Sequence, residues 1–141
     1  MYKNILVGVD TSDESQLILE KADHYAQLFK ARLTVVHVVD LPTNFYEAWM
    51  EQPLIGLEQV QKTCTTRLER LTESLRTDNI QLIVESGHAV NTLIGIAEEE
   101  KIDLIILGSH SRQGLGRLIG STANGVIHHA KCDVLAIRME T

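Results

Sequence analysis

The stretch GSHSRQGLGRLIGST, residues 108–122, gathers the residue types that can hold an anion. Four of the nine glycines fall between Gly108 and Gly120, and the hydroxyls of Ser121 and Thr122 follow directly. Glycines let the backbone approach a ligand closely, and the free N–H groups of a helix start suit phosphate oxygens. A glycine cluster after a strand is equally the mark of a plain loop. The surrounding charge separates these readings. From Leu104 to Cys132 there is no aspartate or glutamate, although acids make up 19 of 141 residues, so roughly four would be expected there. The same stretch carries Arg112, Arg117, Lys131, His110, His128 and His129. An acidic chain thus keeps one segment cationic, the segment with the glycines, which favours an anion site over a loop.

The segment fits neither standard phosphate motif. Walker A needs a lysine after its last glycine, and Ser121 follows Gly120. The dinucleotide fingerprint needs G-x-G-x-x-G after the first strand, whereas Gly114, Gly116 and Gly120 have another spacing and follow the fourth. A second candidate group is Asp10, which ends the apolar run at the N-terminus. Its carboxylate could serve as a general base, as a Mg²⁺ ligand, as a nucleotide contact or as an acceptor for N–H groups of the next helix. The adjacent pair His128 and His129 lacks an i, i+4 partner, so no metal site is expected. Cys64 and Cys132 are isolated and read as free thiols of a reducing compartment, not as a redox pair. No Ser/His/Asp set, catalytic lysine or carboxylate pair emerges, so fast catalysis is not expected.

These groups need a scaffold, and the chain supplies alternating strands and helices. Lys3 to Val9 reads as a strand covered on both faces. Thr11 to Glu14 has capping-box spacing and opens a helix whose stripe is Ile18, Ala22, Tyr25 and Phe29. Arg32 to Val39 is the second strand. A linker with Pro42 and Pro53 holds Phe45, Tyr46 and Trp49, half of the aromatic residues; it reads as ordinary loop packing or as a lid. The longest amphipathic pattern follows at Leu57, Val60, Cys64, Leu68, Leu71 and Leu75, a helix that packs on a sheet in preference to a coiled coil. Ile80 to Glu85 is strand three, Val90, Leu93, Ile94 and Ala97 mark a helix, and Ile102 to Gly108 is strand four. A helix over Ser121 to Ala130 and a strand over Asp133 to Arg138 close the chain. The pattern predicts one α/β domain over 1–141, with a parallel sheet covered by helices on both faces. Ligands of such sheets sit beyond the carboxyl ends of the strands, at the switch point of the winding.

Composition agrees. A chain of 141 residues that is 44% hydrophobic can bury a sizeable core as one domain. The net charge of −6 argues against broad binding to nucleic acid or anionic lipid. No apolar run exceeds four residues, which argues against a membrane span, and Asp10 interrupts any leader-like segment. The expectation is a cytoplasmic protein.

The opening YKNILVGVDTSDES, with His37 and Val38 ending strand two, GSHSR through Gly120 and Ser121, and the closing HAKCDVLAIR over 129–138, resembles the universal stress proteins along the whole chain. The resemblance implies a Rossmann-like open sheet of five strands in the order 3-2-1-4-5, a homodimer and, in one branch, bound ATP, with Mg²⁺ as a possible companion. That branch carries G-x2-G-x9-G-[ST]. Here Gly108 matches its first glycine, Ser111 stands at the second, and eight residues separate Ser111 from Gly120. A nucleotide-free branch lacks the later glycines, which this chain retains. By the resemblance Asp10 meets adenine or ribose, Val38 and Leu107 flank the base, and Gly108, Ser111, Gly120, Ser121 and Thr122 face the phosphates. Val9, Thr11, Arg112 and Gly114 complete the expected nucleotide-binding set. Strand five, Asp133 to Arg138, would be a sheet edge and the dimer contact. The leading expectation is a stress-response homodimer with ATP or a related adenine nucleotide as a regulatory ligand and little or no turnover. The alternatives are a nucleotide-free protein acting through unknown protein partners, and a slow autophosphorylating protein with Ser121 or Thr122 as acceptor.

Overall fold

A computed structural model describes residues 1–40, 55–110 and 121–139. Among these residues five strands alternate with four helices: β1 (Asn4–Gly8), α1 (Ser15–Phe29), β2 (Arg32–Asp40), α2 (Ile55–Thr72), β3 (Ile80–Gly87), α3 (Ala89–Glu99), β4 (Leu104–His110), α4 (Ser121–His129) and β5 (Asp133–Met139). Every neighbouring pair is parallel, and the order is β3-β2-β1-β4-β5, as the family resemblance implies.

The period of two in the strands builds a core on each side of the sheet. Ile5 and Val7 of β1 join Leu33, Val35, Leu104 and Ile106 on the face covered by α1 and α2. Leu6 joins Val36, Ile105 and Leu107 on the face covered by α3 and α4. Three consecutive β1 side chains are therefore fully buried. At about 1.5–3 kcal/mol for each large apolar side chain, the burial of these three is a large contribution to the core. The predicted stripe of α1 lies on the first core, with Ile18 and Ala22 buried and Tyr25 and Phe29 packed at its rim. Its C-terminal rim is tied by Asp23, whose buried carboxylate accepts from the backbone of Arg76 and Thr77 and from Gln27 Nε2.

Several boundaries differ from the sequence reading, each for a local reason. α1 starts at Ser15, and the expected capping box from Thr11 to Glu14 does not form. Those residues make a tighter turn, with Ser15 N–H donating to Ser12 O and Gln16 N–H to Asp13 O. β4 begins at Leu104 because Asp103 is otherwise engaged. Its carboxylate accepts from Lys3 N at 2.8 Å and Asn4 N at 3.1 Å, which secures the entry of β1. The long α2 pattern packs on the sheet through Leu68 and Leu71, while Leu75 lies past the helix end and still reaches the core. Val60, assigned to the same stripe, is 44% exposed. The proline linker and its aromatic cluster lie outside the described residues.

Candidate functional site

The sheet winding reverses between β1 and β4, and the carboxyl ends of these strands part there. A cavity of about 270 Å³ occupies the gap. Its floor is Gly8 and Gly108, near the ends of the two strands. A Cβ on Gly8 would come within 2.7 Å of Leu107 Cδ2, and one on Gly108 would collide with Ile18. Side chains at these two positions would fill the gap from below, so the cavity depends on their absence. Val36, Val38 and Leu107 form apolar wall, Ala89 and Leu93 close it from α3, and Thr122 and Ala123 come from the first turn of α4.

Asp10 stands at the rim with its orientation fixed by its own turn. Oδ1 accepts from Ser12 N at 2.9 Å, Ser12 Oγ at 2.6 Å and Ser15 Oγ at 2.8 Å. Thr11 between them has φ 66°, a left-handed conformation unfavourable for a β-branched residue. These three bonds counter that strain and turn the chain away from the sheet directly after Val9. Asp10 is thus a turn anchor whose carboxylate also lines the cavity.

β1 and β2 part at the same level. Val9 N–H donates to Val36 O at 2.9 Å, the last backbone bond between the two segments. In a parallel ladder the next bond would run from Val38 N–H to the Val9 carbonyl. That carbonyl instead lies 2.8 Å from His37 Nδ1. A carbonyl can only accept, so Nδ1 carries the proton. Among the described residues nothing accepts from the Val38 N–H, and Val38 lines the cavity.

Of the residues expected from the sequence, Val9, Asp10, Val38, Leu107, Gly108 and Thr122 meet at this cavity. Thr11 sits beside it in the turn, and Ser121 opens α4 with its side chain exposed. Ser111, Arg112, Gly114 and Gly120 lie outside the described residues. The sequence reading missed His37, Asp40, Ala89 and Leu93, which also line the cavity. Ala89 and Leu93 have an ordinary helix pattern, and only the topology brings them to the switch point.

His128 and His129 occupy the last turn of α4, at the end away from the cavity, where cations complement the helix dipole. Lys131 lies beyond them and pairs with Glu98 at 3.1 Å. The charged groups on the described wall are instead the carboxylates of Asp10 and Asp40. His128, His129 and Lys131 thus lie away from the cavity, while Arg112 and Arg117 lie outside the described residues. Among the described residues no group of three His, Cys, Asp or Glu side chains comes together as metal ligands do.

Comparison with known proteins adds relatives of full length. The profile of the universal stress protein family matches residues 1–138. Universal stress protein A homolog 1 of Coxiella burnetii is 35% identical over 141 residues, covering 99% of this chain and 98% of that protein. Universal stress protein UspA from Lactobacillus plantarum superposes with a TM-score of 0.74 at 30% identity, over 97% of this chain and 98% of its own. A universal stress protein solved in complex with cAMP superposes with a TM-score of 0.64 at 26% identity, over 97% of each chain.

Proposed function

Because this chain belongs to the universal stress protein family, we propose that it is a cytoplasmic stress-response homodimer that binds ATP or a related adenine nucleotide as a regulatory ligand. The observation that carries this reading is the cavity between β1 and β4. Val38 and Leu107 line its apolar part, which suits a flat base, and the Val38 N–H, which finds no acceptor among the described residues, suits a ring nitrogen. Thr122 and Ala123 of the first turn of α4 line it, and the start of a helix suits phosphate oxygens. The relative bound to cAMP supports an adenine nucleotide as the ligand class. A volume of about 270 Å³ suits a base with its sugar, leaving phosphates at the mouth. If Mg²⁺ accompanies the nucleotide it would neutralise phosphate charge near Asp10 and Asp40.

One observation favours a nucleotide-free reading, in which the protein acts through protein contacts alone. The described wall carries two carboxylates, Asp10 and Asp40, and no lysine or arginine. Calorimetric titration with ATP, ADP, AMP and cAMP, with and without Mg²⁺, separates the two readings. Saturable heat is expected for at least one of them, and acid extraction of freshly purified protein should release the same compound. No heat and no extracted nucleotide would sink the binding hypothesis. Thr122→Glu locates the site. A carboxylate in the first turn of α4 suits the helix dipole, so the fold should hold its thermal midpoint. Set against phosphate, the same charge should weaken ATP at least about tenfold while adenosine is spared.

A further inference from the structure

We propose that His37 is a positioning residue for the base, an inference that rests on the adenine reading above. By donating Nδ1–H to the Val9 carbonyl, it takes the acceptor that the Val38 N–H would otherwise use and holds that N–H open to the cavity. Along β2, Arg32 N–H donates to Lys3 O toward β1, and Leu33 N–H donates to Asn79 O toward β3, so even-numbered residues face β1. Val36 obeys the rule by accepting from Val9 N at 2.9 Å. Val38 is the next even residue, and its N–H has the Val9 carbonyl as its only regular partner. The imidazole donates to that carbonyl at 2.8 Å, and although a carbonyl can accept twice, no bond from the Val38 N–H reaches it.

Sheet alternation explains how it does so. His37 has the parity of Leu33 and Val35, whose side chains lie on the face covered by α1 and α2. Its ring therefore draws the Val9 carbonyl toward that face. Val38 has the parity of Val36, on the opposite face, where its side chain packs with the α3 and α4 core. Val9 then leads into the Asp10 turn, whose left-handed Thr11 carries the chain away so that no later backbone group can restore the pairing. One imidazole thus converts the last rung of a ladder into a donor for a ligand. An open N–H admits an acceptor atom and rejects a donor. Adenine presents an acceptor at its N1 edge, and hypoxanthine presents an N–H there.

The test uses three variants of the full chain. His37→Asn keeps a donor at the δ position, His37→Gln moves it to the ε position, and His37→Leu removes it. Calorimetry with adenosine and inosine avoids any contribution from phosphate. Wild type and His37→Asn should prefer adenosine by about tenfold, the loss typical of one mismatched hydrogen bond. His37→Leu and His37→Gln should lose that preference. An unchanged preference in His37→Leu, or equal loss in His37→Asn and His37→Leu, would overturn the assignment. Should wild type bind no nucleoside at all, the adenine reading fails, and amide exchange of the ligand-free protein decides the role of His37 by itself. The Val38 amide should exchange fast in wild type and His37→Asn and become protected in His37→Leu, where the ladder closes. Equal protection in all of them would reject the role.

Discussion

At the scale of single residues, Asp10 shows how a side chain expected to meet a ligand can first serve the fold. One oxygen accepts three hydrogen bonds, and one of the donors is the hydroxyl of Ser15, which is 1% exposed. Removing the carboxylate leaves that hydroxyl without its acceptor and the left-handed Thr11 without its tether. Asp10→Ala should therefore cost about 1–3 kcal/mol by urea denaturation, and Asp10→Asn, which keeps an oxygen, should cost less. If Asp10→Ala is as stable as wild type while losing nucleotide, the turn role is wrong and ligand contact dominates. Cys132 gives a second test at this scale. Burial, then the negative charges of Asp133 and Asp103, push its thiol above the ordinary range. The folded chain then holds this proton longer than the unfolded one. Stability from it is complete below the ordinary thiol value, near pH 8.5, and is lost as pH rises through the elevated one. The urea midpoint of wild type should fall more steeply above that pH than the midpoint of Cys132→Ala. Parallel slopes would contradict the assignment.

At the scale of elements, the walls of the cavity depend on how closely α3 and α4 approach. Gly125 of α4 makes this possible, since a Cβ there would stand 2.7 Å from Val90 Cγ2 of α3. Gly125→Leu should cost about 1–3 kcal/mol through overpacking, against roughly 1 kcal/mol gained in helix propensity. Val90→Ala should be mildly destabilising alone, yet should offset Gly125→Leu in the double variant. Strict additivity of the two would mean that the helices do not meet there. Neither contact is legible in the sequence, whereas the elements themselves are. The apolar run Ile5 to Val7 announces a strand buried on both faces, and the α1 stripe announces its helix. What misleads is local ambiguity. Thr11 to Glu14 has the spacing of a capping box, but Asp10 accepts from Ser12 N–H and from the hydroxyls of Ser12 and Ser15 and sets a different turn. The basic residues after Gly108 look like one cationic cluster in the sequence. A helix of nine residues spans about 13 Å, which carries His128 and His129 to the far end. The role of His37 was hidden for a related reason: a side chain that replaces a backbone rung leaves no periodic trace.

At the scale of the whole molecule, the sheet has two edges, and they are not alike. β3 has α2 beside it, with Leu68 and Leu71 closing that side of the core. Among the described residues β5 pairs only with β4, with Asp133, Ala136 and Arg138 exposed and Ile137 and Met139 buried. A seven-residue edge with an alanine at its middle offers a row of unpaired backbone groups with little side-chain obstruction. Pairing of this edge with a second copy across a two-fold axis satisfies those groups on both chains at once, which is the isologous arrangement of our proposed homodimer. Ala136→Lys tests this directly. It sets one ammonium from each chain near the axis, a like-charge pair of the kind by which edge strands avoid association. Wild type should sediment at twice 15.8 kDa and the variant at 15.8 kDa. Because Ala136 is exposed in the single chain, the variant monomer should keep its far-ultraviolet spectrum. Identical sedimentation of the two proteins would remove β5 as the interface, and a dimer that survives the substitution would have to form through the helical faces instead.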